Sequence, residues 1–215
     1  VTAVTAAMVL AGAGAVRAEE AHIYIAPHAW FADLSDGADF DRDVHPGFDF
    51  LARLGRHRIV AGATSGENES DAANADVELK RARGFYGFSF VNTSLLDIGF
   101  LVGADTYDVT VKAGGSEVSV DSPAPAVGLS LGIRPPVVPI RLYVEAVYSS
   151  LEISDVDTTL LDAYASFDWY LIPVVKVFGV QVGYRYYDLE AEDKEQGVKI
   201  DGKFQGPFAG IVLRF

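Results

Sequence analysis

The chain has no cysteine, a single methionine, two tryptophans and four histidines among 215 residues. Without cysteine there is no disulfide and no thiolate chemistry, so the fold must be held by a closed hydrogen-bond ladder or by a packed core. Beyond the N-terminal stretch, no run reaches the 18 or so apolar residues of a spanning helix, which excludes a helical membrane protein. Basic residues are also scarce, 17 Lys and Arg against 30 Asp and Glu for a net charge of −13. That imbalance excludes a nucleic-acid-binding surface, which needs basic patches.

What is present is hydrophobic residues, half of the chain, distributed in alternation rather than in blocks. Residues 1–18 are the exception. They are Ala-rich and apolar and end in Val16-Arg17-Ala18, small residues at the positions where a signal peptidase cleaves. This predicts a signal peptide over 1–18 and a mature domain over 19–215 beginning at Glu19.

From His22 onward the period is two. Ile23, Ile25, Ala29 and Phe31 face one way, and His22, Tyr24, His28 and Trp30 the other. Leu34–Asp43 reads as a loop, and Val44–Leu54 is broken by Pro46-Gly47, its Phe48, Leu51 and Leu54 fitting a short helix as well as a strand. Thr64–Ala75 reads as a polar, acidic loop. Further strands are predicted at Arg58–Ala63, Val77–Phe90, Leu95–Val111, Val118–Ile133, Ile140–Leu151, Thr159–Leu171, Phe178–Leu189 and Val198–Phe215. Connections after residues 90, 133 and 172 are short, whereas those after 64 and 189 are longer and acidic. Short turns on one rim and long loops on the other suit an up-and-down antiparallel transmembrane barrel. Such a barrel needs an even number of strands if it starts and ends on one side. Ten strands follow if Asp39–Phe50 supplies one, and eight if both it and the first are set aside.

The faces are unequal. Leu161, Ala163, Ala165, Phe167, Trp169 and Leu171 oppose Asp162, Tyr164, Ser166, Asp168 and Tyr170, and Ile140, Leu142, Val144 and Ala146 oppose Arg141, Tyr143, Glu145 and Ser149. Likewise Leu96, Ile98, Phe100, Val102 and Ala104 oppose Asp97, Gly99, Leu101, Gly103 and Asp105. A solvated face carries charge at most positions. Here single charges are diluted by Gly, Ser and Tyr, which fits a lumen, with lipid on the other side. Aromatics at Tyr86, Phe88, Phe90, Trp169, Tyr170, Tyr184, Tyr186 and Tyr187 sit near strand ends, where interface girdles belong.

The terminal Phe215, with Leu213, Ile211 and Ala209 on its face, together with Gly183-Tyr184-Arg185 and Gly206-Pro207-Phe208, resembles the last hairpin of small Gram-negative outer-membrane β-barrel proteins. The resemblance covers most of residues 22–215. It implies an all-β barrel in the bacterial outer membrane, with outer-membrane lipid and lipopolysaccharide as surroundings. It also implies that Ala209, Ile211, Leu213 and Phe215 form the signal read by the assembly machinery.

No enzyme motif is found. His22 and His28 share the inner face but stand about 20 Å apart along a strand, too far to ligate one metal. No serine adjoins His22, His28, His45 or His57 in sequence. Asp36, Asp39, Asp41 and Asp43 lack ordered Ca²⁺-loop spacing and, like Glu190, Glu192, Asp193 and Glu195, read as solvated tips, so no metal or other cofactor is predicted. The candidate functional residues are a lumen network of Asp97, Glu145, Asp162 and Asp168 with Arg141 and Arg185, joined by Arg81 or Arg83. It predicts a filled, polar lumen in a protein with a structural or surface-interaction role. The alternative is a small pore, and the surplus of named carboxylates would make it cation-preferring. A lipid-modifying barrel enzyme ranks below both.

Overall fold

The fold follows from that alternation. A computed structural model describes residues 21–35, 42–70, 75–113, 116–153, 156–171, 177–193 and 198–215, so the expected signal peptide lies outside the described residues. Ten strands form: β1 His22–Ser35, β2 Asp43–Leu54, β3 His57–Ser70, β4 Ala75–Asn92, β5 Leu96–Ala113, β6 Ser116–Ile133, β7 Ile140–Ile153, β8 Val156–Tyr170, β9 Phe178–Asp193 and β10 Val198–Arg214. All neighbours in sequence pair antiparallel, and β1 closes on β10 through Tyr24↔Arg214 to Ser35↔Lys203, so the barrel is closed and up-and-down. The ambiguous segment is therefore a strand, and ten rather than eight is the number. Its proline leaves a mark: the β2–β3 register ends at Gly47↔Thr64, next to Pro46, which has no N–H to give. Gly55, at φ 59°, makes the turn after β2, a conformation in which a side chain would be strained.

Two of the acidic stretches expected as long loops are largely strand. Most of Thr64–Ala75 is strand, since β3 runs to Ser70 and β4 begins at Ala75, and β9 runs through Glu190 to Asp193. Residues 36–42, 71–74, 114–115, 154–155 and 194–197 separate strands on this far rim, against 55–56, 93–95, 134–139 and 171–177 on the other, here the turn rim. Composition misleads because Ser65, Glu67 and Glu69 point outward while Asn68 and Ser70 are buried inward, so the strand is polar on both faces.

The outward face divides sharply. Phe215, Ile211, Ala209 and Pro207 are apolar along β10, and Lys203 follows toward the far rim. The same change comes at Asp33, Ser65, Lys80, Asp108 and Asp188 on other strands. A tilted stretch of about ten residues below this boundary spans about 25 Å, the height of an outer-membrane apolar band. Tyr86, Phe90, Trp169 and Tyr184 lie on its surface. Tyr170 and Tyr187 do not belong to the girdle, because they are buried inside the barrel, where the alternation of β8 and β9 turns them.

Above the belt the barrel flattens. Among the described residues the β6–β7 register stops at Ala126↔Ser149 and the β2–β3 register at Gly47↔Thr64. By contrast, β3–β6 stay paired out to Ser70↔Ala75 and Ala113↔Ser116, and β7–β10 out to Ile153↔Val156 and Val198↔Asp193. Two facing sheets result. Between them Val77, Leu79 and Val109 of one pack against Leu34, Leu160, Leu189 and Phe204 of the other in one buried cluster. The exposed Pro123 and Pro125 sit on the open edge of β6, where a missing N–H discourages pairing with a foreign strand.

Candidate functional site

Alternation aims charges from most of the strands into one interior, and their burial makes pairing obligatory, because an unpaired ion in that medium costs several kcal/mol. All six predicted network residues face inward, and Asp97, Glu145, Asp162, Asp168 and Arg185 are buried. They do not form one cluster but three tiers.

In the tier nearest the far rim, Asp162 of β8 accepts from Arg81 Nη1 at 2.7 Å, from Arg185 Nε at 3.0 Å and Nη2 at 2.8 Å, and from Arg83 Nη1 at 3.3 Å. Arg81 also grips Asp105 with two nitrogens, its Nε at 2.8 Å from Oδ1. Aromatic rings flank the cations: the Arg81 guanidinium lies 4.8 Å from the centre of Tyr187 and that of Arg185 5.6 Å from Trp30.

The middle tier centres on Arg83, which donates to Glu145 at 2.7 Å and to Asp49 at 2.7 Å. Tyr143 Oη donates to the second oxygen of Glu145 at 2.6 Å. An Arg141–Glu145 pair, suggested by their shared face, does not form, since Arg141 reaches the turn-rim tier instead. There it donates to Asp168 at 3.1 Å, an acceptor also bound by Gln181 at 3.0 Å and Tyr24 Oη at 3.3 Å. Across the lumen Asp97 takes Arg53, Arg58 at 3.3 Å, Ser89 Oγ at 3.2 Å and, more loosely, Arg134 at 3.8 Å.

Sequence reasoning misses Arg53, Arg58, Asp49 and Arg134, and turns Asp105 inward without giving it a partner. Arg53 and Asp49 lie in the segment whose periodicity is ambiguous, and Arg134 lies in a turn where alternation has no meaning. Their inclusion removes the acidic surplus. Asp49, Asp97, Asp105, Glu145, Asp162 and Asp168 meet Arg53, Arg58, Arg81, Arg83, Arg134, Arg141 and Arg185, so the premise for cation preference fails.

The histidines are dispersed. His28 Nδ1 lies 3.2 Å from the Ala26 carbonyl oxygen and 3.7 Å from Asp49. His45 Nε2 is 2.8 Å from Asn68 Oδ1, its ring lying across β3 where a Cβ on Gly66 would overlap it. His57, exposed at the turn rim, is 2.6 Å from Tyr86 Oη. No group of three His, Asp or Glu side chains among the described residues is arranged to hold a metal ion. Of the residues expected to form an assembly signal, Ala209 and Ile211 are exposed on the outer face of β10 and Phe215 just past its end, with Leu213 partly exposed.

No protein-family model matches the chain, and no curated protein matches it. Solved structures do. The outer membrane protease OmpT from Escherichia coli superposes with a TM-score of 0.51 at 10% identity, over 91% of this chain and 94% of that one. Neisserial surface protein A (NspA) matches at 15% identity and a TM-score of 0.46, over 91% of this chain and 100% of that one. Ail, the attachment invasion locus protein of Yersinia pestis, matches at 14% identity and a TM-score of 0.41, over 93% and 100%. At these identities the likeness is one of fold, and the fold is that of an outer-membrane β-barrel.

Proposed function

We propose that the chain is an integral protein of the bacterial outer membrane, surrounded by its lipid and lipopolysaccharide. In this reading its lumen is sealed, and its two-sheet far-rim structure stands outside the cell as a structural or interaction surface. The observation that carries this reading is the filled interior: three tiers of paired charges beneath an apolar plug of Leu34, Val77, Leu79, Val109, Leu160, Leu189 and Phe204. A pore would need an open path through both, and the inward polar groups at the plug's end of the barrel, His45, Asn68, Ser70 and Thr158, are themselves buried. Catalysis is disfavoured because His28 is buried inside the barrel, with Asp49 half-buried beside it, away from any peptide or lipid substrate at the surface.

Orientation is testable because the chain has no native cysteine. Glu67→Cys, exposed on the far rim, is expected to react with a membrane-impermeant maleimide on intact cells, whereas Ser94→Cys on the turn rim should react only after lysis. Labelling of both on intact cells, or of neither after lysis, would contradict the placement.

The β10 signal fits this placement. Phe215 is 65% exposed and at the seam exchanges backbone hydrogen bonds of 2.9 and 2.8 Å with Ile23. Its deletion should leave the unfolding midpoint of the refolded barrel nearly unchanged while lowering the amount delivered to the membrane by the assembly machinery. Equal outer-membrane yields of deletion and parent would remove Phe215 from that role.

A further inference from the structure

We propose that the turn-rim mouth of the lumen is a binding site for a phosphate-type oxyanion. Five guanidiniums, Arg53, Arg58, Arg134, Arg141 and Arg214, line a cavity there of about 20 Å³, with Asp97 the one carboxylate among the described residues of its wall. Asp168, paired with Arg141 behind the wall, is the next acid. Even counting both acids, the mouth holds more positive than negative charge, the reverse of the protein's overall balance.

The cations that line this space are held differently. Arg53 spends its Nη2 on Asp97 and Ser89, and Arg58 its two terminal nitrogens on Asp97 and Ser130, so both cations stay anchored at the wall of the cavity. Arg134, in the β6–β7 turn, is held at a pKa of about 10, first by burial and then by the repulsion of Arg141 and Arg53 against the attraction of Asp97. An added anion relieves that repulsion.

The size limits how much of a ligand enters. A cavity of this volume takes about one oxygen-sized group, so one oxygen of the anion seats in it while the others remain in the open mouth. Guanidinium forks match the tetrahedral oxygens of phosphate, whether free or in the headgroup of an anionic lipid.

The test uses the full chain refolded in octyl glucoside, which carries no phosphate, titrated calorimetrically with inorganic phosphate at constant ionic strength. Saturable binding is expected. Arg134→Gln and Arg214→Gln, which leave Arg53 and Arg58 on Asp97, should each weaken it about tenfold, the loss of one charge-assisted hydrogen bond. Asp97→Asn should tighten it, and urea midpoints recorded in parallel identify any variant that has not folded. Repeating the titration in phosphatidylcholine vesicles with and without phosphatidylglycerol separates the sources. Loss of phosphate binding in the presence of phosphatidylglycerol assigns the site to lipid headgroups, and unchanged binding assigns it to the free ion. No saturable binding by the parent, or affinity equal to the parent's in both folded glutamine variants, would overturn the proposal.

Discussion

Asp162→Ala is expected to destabilise the refolded barrel by about 3–5 kcal/mol, the cost of leaving buried charge without its partner. Asp162 is fully buried and is the acceptor shared by Arg81, Arg185 and Arg83, two of which also hold other carboxylates. Arg185 has Asp162 as its acceptor in the upper tier, so its removal strands that cation against Trp30. Asp33→Ala breaks an ion pair with Arg42 that is more than a third exposed on both sides, and should cost no more than about 1 kcal/mol. Urea unfolding followed by tryptophan fluorescence reads both, because Trp30 is packed within the upper tier. Equal, small losses for the two variants would mean that the lumen charges are hydrated in solution and do not depend on one another.

Ala165→Arg should cost about 2–4 kcal/mol, because it places a charge on the lipid face near mid-belt. Ala165 points outward between Phe167 and Ala163, paired across strands with Val144 and Tyr184, so no acid is at hand to neutralise the cation. Ala165→Leu, bulky but apolar, should cost nearly nothing. The alternation alone suggests that an arginine at Ser166 would be tolerated by a polar lumen. The packed interior reverses that, since Ser166 is 5% exposed and lies between the Tyr143 and Gly183 positions of neighbouring strands, where a guanidinium on a long stem would have no room. The pair that separates lipid from lumen is therefore Ala165→Arg against Ala165→Leu, compared in vesicles by urea titration. Equal stabilities would place Ala165 in water.

Periodicity reads the barrel well because every strand within the belt faces two chemically different surroundings, lipid outside and a charged interior inside. Leu161 to Leu171 and Ile140 to Ala146 can be assigned to their faces from the residues alone. It fails where that contrast ends. β3 beyond Thr64 has water outside and buried Asn68 and Ser70 inside, so its strand looks like a loop, and the two-sheet top with its apolar plug leaves no trace in the pattern. The network is half legible for another reason. Alternation says which way Asp97 and Arg141 point, but their partners depend on how far each strand is sheared against its neighbours, which no single strand encodes. Hence the shared face suggests Arg141 for Glu145, when Arg83 from β4 is the cation that reaches it.

The sealed lumen is the claim on which the functional reading rests, and single-channel recording in a planar bilayer tests it most directly. Refolded protein inserted at high copy number should give no resolvable conductance steps in molar potassium chloride, with either polarity. Stable, uniform steps would contradict the seal.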